Sequence, residues 1–150
     1  MRLVATVLIL GICQPAMAGT LRCSFTEPFF VIEFDSKTGV VTFISPDEAD
    51  PDTGAIKPRV LAEGARVRRP GVWQDVPKLV LEAPGKGPGS PFEPLVEIAV
   101  TGAGSDGMSE SVFPFEGRFA THVGGCETGK AQAYDAYEVY EDIGVVEDQP

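Results

Sequence analysis

Histidine and tryptophan each occur once in this chain of 150 residues, and cysteine occurs only three times. Bases are scarce as well: 12 Lys and Arg stand against 22 Asp and Glu, for a formal net charge of -10. Each shortage excludes something. A phosphate-backbone partner needs a dense basic face, so nucleic acid is not an expected ligand. Soft ligands for a transition metal are nearly absent, and no cofactor is expected. Beyond the first dozen residues there is no long apolar run, so no transmembrane helix is expected either. No stretch repeats at a period of about 20 to 50 residues, which excludes a solenoid or propeller array. What remains is an ordinary globular composition, 43% hydrophobic and 23% charged, of a length that suits one domain.

The N-terminus has the order of an export signal. Arg2 precedes the apolar run from Leu3 to Cys13, then Pro15 breaks it, and Ala16-Met17-Ala18 supplies small residues at a cleavage site. The run is too short to span a bilayer, which takes about 20 apolar residues. Cleavage is expected after Ala18, leaving a soluble periplasmic protein. Lipidation at Cys13 is disfavoured, because bulky Ile12 immediately precedes the thiol. The signal contains one base, Arg2, and one cysteine, so the mature chain keeps 11 bases and the pair Cys23 and Cys126. In an oxidising compartment an even pair reads as a disulfide. It would tie the start of the first strand to the end of the last. Closing a loop of that length is worth about 4 to 5 kcal/mol in the chain-entropy account.

The rest reads as short strands and turns. Residues 28–34 and 40–44 are β-branched and aromatic, and Asp35 to Gly39 between them has hairpin-turn chemistry. An acidic loop follows from Ser45 to Ala55. Residues 59–62 suit a short strand, 71–73 a loop or edge, and 78–82 and 95–100 two further strands. The Pro- and Gly-rich stretch 84–91 admits neither helix nor central strand. Strands are predicted at 111–115 and 118–123. Tyr134, Tyr137 and Tyr140 are spaced three apart with Ile143 in step, which predicts a short helix over 131–143. The expectation is therefore an all-β, mostly antiparallel barrel or sandwich with a short C-terminal helix and one disulfide. Residues 1–18 form the signal peptide, 19–143 the single β-rich domain, and 144–150 an acidic flexible tail.

Most recognisable motifs fail on context. Gly102-Ala103-Gly104-Ser105-Asp106-Gly107 spells G-x-G-x-x-G, but a dinucleotide site needs a helix opening at the last glycine, and 108–114 reads as strand. The same residues approximate a nucleophile elbow, yet the only available base is His122 and the chain is short for that fold. His122 itself suits a packed strand position. The acids from Glu48 to Asp52 invite a calcium reading, but the sixth and twelfth positions of an EF-hand loop fall on Thr53 and Arg59. With 22 acids, carboxylate pairs for glycoside hydrolysis always exist, and no spacing singles one out. Lys57, Arg59, Arg66, Arg68 and Arg69 form a local basic cluster. It would meet an anionic surface or serve as a solvated edge that resists aggregation.

Three stretches carry a resemblance: Cys23-Ser24-Phe25-Thr26-Glu27-Pro28-Phe29-Phe30, Ser105-Asp106-Gly107-Met108-Ser109-Glu110 and Gly124-Gly125-Cys126. Together they resemble an uncharacterised family of small secreted bacterial proteins, periplasmic or lipoprotein-like. The chain departs from that pattern at Phe30, where Trp is frequent, and at Gly104, where Cys is frequent. The resemblance implies an envelope location and no activity. Read physically, Glu27 and Asp106 either brace the turn by accepting backbone N–H groups or contribute to a binding surface. The candidate binding residues are Glu27, Phe29, Phe30, Ser105, Asp106, Met108, Ser109 and Glu110, and no catalytic or metal residue is assigned. The leading expectation is a non-enzymatic periplasmic module that binds a protein, envelope component or small ligand. Its alternatives are a carboxylate-dependent hydrolase of an envelope glycan and a lysozyme-inhibitor-like protein.

Overall fold

The computed structural model describes residues 19–70, 78–129 and 142–147. Ten strands form one sheet: β1 (Thr20–Phe25), β2 (Phe30–Asp35), β3 (Val40–Ile44), β4 (Arg59–Ala62), β5 (Arg66–Arg69), β6 (Lys78–Pro84), β7 (Phe92–Gly104), β8 (Phe113–Phe119), β9 (His122–Thr128) and β10 (Val146–Glu147). They lie in the order β10-β5-β6-β7-β8-β9-β1-β2-β3-β4. Every pairing is antiparallel except that of β10 with β5. The predicted all-β, antiparallel class is the observed one.

The sheet is curled, and the connection between β4 and β5 requires it. β4 is the last strand at one end of the order and β5 is next to the other end, yet only Glu63, Gly64 and Ala65 join them. A link that short reaches no more than about 14 Å. The two ends are therefore drawn together into a half-barrel. Gly64 turns the chain at φ 68, and the Ala65 N–H donates to the Gly39 carbonyl at 2.9 Å, fastening this link to the β2–β3 turn.

Alternation along the strands fills the inside of the curl. Leu21, Cys23 and Phe25 of β1 point inward with Ile32 and Phe34 of β2, Leu79 and Leu81 of β6, Val96 and Ile98 of β7 and Phe115 of β8. The Cys23–Cys126 disulfide is present and lies within this core, both residues being buried. Its place differs from the expected one. Cys23 and Cys126 sit opposite each other in the middle of β1 and β9, so the bond clamps two hydrogen-bonded neighbours in the sheet. Gly117 of β8 leaves room for it, since a Cβ there would overlap the Cys126 Sγ.

Two boundaries also move. The strand expected over 118–123 is broken by the β8–β9 turn, where Ala120 takes φ 51. Val146 and Glu147, placed in a flexible acidic tail by the sequence, form β10 on the free edge of β5. Ile143 just before them is fully buried in the core. The Asp142 carboxylate accepts from the Gly19 N–H at 3.0 Å, and its carbonyl accepts from the Ser36 hydroxyl at 3.1 Å. Apolar anchoring and an unfilled strand edge outweigh the acidic composition. The helix expected over 131–143 lies outside the described residues except at its last two positions, as do the loop at 71–73 and the signal segment 1–18.

Candidate functional site

Short polar side chains build the β7–β8 turn from within. Asp106 Oδ1 accepts from the N–H groups of Met108 at 3.0 Å and Ser109 at 2.8 Å, and its Oδ2 accepts from the Ser109 hydroxyl at 2.8 Å. The Ser105 hydroxyl accepts from the Gly107 N–H at 3.1 Å, and the Ser109 hydroxyl from the Ser111 N–H at 3.2 Å. These are side-chain-to-backbone bonds of the kind that let Ser and Asp specify a turn. The N–H groups of Ser109 and Met108 hold the Asp106 carboxyl below the usual carboxylate range. The G-x-G-x-x-G glycines divide: Gly102, at φ 63, lies where β7 pairs irregularly with β8, Gly107, at φ 81, lies in the turn, and no helix opens after them.

The turn folds back towards the β1–β2 hairpin. A Cβ on Gly107 would lie 2.7 Å from the Thr26 hydroxyl, and one on Gly125 would lie 2.3 Å from the Phe113 ring. Gly107 and Gly125 thus permit the close approach of residues 105–113 to β9 and β1. Phe25 faces Gly124, so the next position along brings Thr26 towards Val123. Two of the resemblance-bearing stretches, far apart in sequence, therefore meet at Thr26.

Within that meeting the candidate residues divide. Phe30 is buried: its ring stacks on Phe25 at 4.7 Å and Phe43 at 5.1 Å, and meets Phe119 and His122 edge-on at 5.8 and 5.2 Å. It is core, and His122 is a packed strand residue beside it. Ser105, Asp106 and Ser109 hold the turn's backbone. Glu27, at φ 58 before a cis bond to Pro28, is exposed, as is Glu110. Phe29, Met108 and Val112 are exposed to 46%, 77% and 72%, and Val123 beside Thr26 to 49%. Val112 and Val123 were missed by sequence reasoning. The fold-back of the turn brings Gly107, next to Met108, against Thr26 of the loop that carries Phe29.

The other charged candidates are internally paired. Glu82, 3% exposed, accepts from Arg66 Nε at 2.8 Å and Arg68 Nε at 3.0 Å. The Arg66 guanidinium also lies 3.8 Å from the Phe92 ring centre. Arg59 pairs with Glu48 at 3.0 Å and lies over Phe43. The basic cluster is thus largely committed to carboxylates and rings of its own chain. In the acidic loop, Asp50 accepts from the N–H groups of Asp52 and Thr53, an arrangement that braces the loop. Among the described residues, no group of three or more His, Cys, Asp or Glu could hold a metal ion. One groove of about 300 Å³ runs along the outer wall of β6, β7 and β8, lined by Lys78, Glu97, Thr101, Glu116 and Arg118. No helix among the described residues is long and apolar enough to cross a membrane. Comparison with protein-family models, curated proteins and solved structures gives no match.

Proposed function

We propose that this chain is an exported, non-enzymatic binding module of the bacterial envelope. Its contact surface is the paired loops 26–29 and 105–112 with Val123. One observation carries the reading: Met108 and Val112 are held out to water by a turn braced from within, and that turn approaches, at Thr26, the loop that exposes Phe29. Exposed apolar side chains scattered singly need no explanation, whereas several gathered on an ordered surface mark an interaction site. The buried disulfide supports export to an oxidising compartment such as the periplasm. So does the resemblance to small secreted proteins. The reading calls for no cofactor.

The test is site-specific photocross-linking in the source cells, with a photoreactive residue at position 108 or, as control, at Val60. Val60 is also exposed, at 53%, but lies on β4, three strands from β1. A discrete adduct from position 108 alone is the expected result. No adduct, or the same adducts from both positions, would overturn the reading. The denatured mass of the purified protein tests export separately. It should show cleavage after Ala18 and the loss of two hydrogens.

A second reading rests on the outer groove, where Glu97 and Glu116 occupy neighbouring strands close to Lys78 and Arg118. Two carboxyl groups on one groove are what hydrolysis of an envelope glycan requires. It predicts that Glu97→Gln and Glu116→Gln each abolish release of reducing ends from peptidoglycan while the fold survives. Wild-type protein that releases none would end it.

A further inference from the structure

The residue that cleavage after Ala18 would leave first is held by the last segment of the fold. The Gly19 N–H donates to Asp142 Oδ2 at 3.0 Å, across 123 positions of sequence. The Ser36 N–H donates to the Gly19 carbonyl at 2.7 Å, and the Ser36 hydroxyl donates to the Asp142 carbonyl at 3.1 Å. Gly19 is buried and Asp142 half-buried. A Cβ on Gly19 would lie 2.7 Å from Ser36 Oγ, so this tight approach requires glycine. Directly after Asp142 come Ile143, fully buried, and β10, paired with β5. The Gly19 nitrogen thus stands where the start of β1, the β2–β3 turn and the segment covering the β5 edge converge.

Cleavage changes the chemistry of that nitrogen. Water adds across the Ala18–Gly19 amide, Ala18 departs as a carboxylate, and the freed Gly19 amine takes up a proton near neutral pH. A neutral N–H becomes an ammonium in the same buried place. A charge there is costly alone but favourable against a carboxylate within hydrogen-bond reach. Lys37 also passes close, its Cε 3.7 Å from where a Gly19 Cβ would lie, but it is exposed and water screens its charge.

Resting on the export reading above, we infer that removal of the signal segment turns the Gly19–Asp142 hydrogen bond into an ion pair. That pair fastens residues 142–147, and β10 with them, onto the sheet. The uncleaved chain has only the neutral bond and a more weakly held C-terminal segment, so maturation at one terminus closes the fold at the other.

Four purified proteins test this: the chain beginning at Gly19, the same chain beginning at Ala18, and each of these with Asp142→Asn. The extra alanine keeps the net charge and moves the ammonium one residue away, while Asn keeps an oxygen that accepts from an amide N–H. By urea unfolding, the chain beginning at Gly19 should have an unfolding constant about tenfold below that of the chain beginning at Ala18. Asp142→Asn should raise that constant about tenfold in the first and less than about threefold in the second. Hydrogen exchange over residues 142–147 should be slowest when both Gly19 and Asp142 are in place. Additive effects of the two changes, or the same exchange in all four proteins, would overturn the inference. If Asp142→Asn does not fold, the two chains with Asp142 decide, and equal stability refutes the pair. The denatured mass of the exported protein separates this inference from the reading beneath it. Cleavage after Ala18 without coupling to Asp142 would refute the ion pair and leave export standing. Coupling in a protein that cells do not cleave there would refute the maturation step together with the expected cleavage.

Discussion

At the residue scale, glycine and aspartate do the most specific work. Gly117 leaves the space that the disulfide occupies, and Gly117→Ala would press a methyl group into the Cys126 Sγ. Overpacking of that kind costs about 1 to 3 kcal/mol, so the variant should unfold at lower urea with an unchanged m-value. Asp106 makes a pH-dependent prediction. Its folded carboxyl titrates below the unfolded value because backbone N–H groups of Ser109 and Met108 favour the anion. Its support of the turn is therefore complete above the unfolded carboxylate pKa of about 3.9 and is lost as pH falls through the folded value. Protection of the Met108 and Ser109 amides, measured against the intrinsic exchange rate at each pH, should fall in that acid range in the wild type. Asp106→Asn, which keeps an accepting oxygen, should remove most of the pH dependence while retaining the turn, and Asp106→Ala should speed exchange at neutral pH. These roles were half legible beforehand. Ser and Asp around Gly107 signal a turn in any sequence, but the groups that force glycine at 125 and 107 are the Phe113 ring on the neighbouring strand and the Thr26 hydroxyl just beyond β1.

At the scale of elements, strong β patterns were readable and weak ones were not. Residues 59–62 were expected as a strand and form one. Residues 66–69 were seen only as bases, because Arg-Val-Arg-Arg offers one apolar side chain to a periodicity argument. They form β5 because Val67 enters the core while Arg66 and Arg68 grip buried Glu82 from the outer side. Removing one partner of a buried ion pair leaves the other uncompensated. Glu82→Ala should therefore destabilise the protein by about 3 kcal/mol, at the low end because both guanidinium groups are open to water. The same blindness affected β10. Two paired residues carry no strand signal, and the segment is held mainly by Ile143 and by Asp142 at Gly19 and Ser36. Ile143→Ala should cost about 2 to 5 kcal/mol by thermal or urea unfolding. It should also raise hydrogen exchange first at the β5 amides, whose outer edge β10 covers.

At the scale of the whole molecule, the disulfide joins residues 103 positions apart, and the chain between them includes every strand from β2 to β8. Replacing both cysteines with alanine should remove about 4 to 5 kcal/mol of stability by restoring freedom to the unfolded chain, checked by urea unfolding with and without reductant. The sequence alone determined the all-β class, the pairing of Cys23 with Cys126 and the turn chemistry at 105–110. Each of these depends on local alternation, composition or counting. Only the tertiary structure decided that β4 and β5 end at opposite sides of a curled sheet and that Cys23 faces Cys126 across neighbouring strands. It also decided that Phe30 is core while its neighbour Phe29, with Met108, Val112 and Val123, stays exposed. The reason is physical: register and curl set which distant residues become neighbours, and both arise from the summed pairing and burial of all ten strands, which no short stretch of sequence encodes.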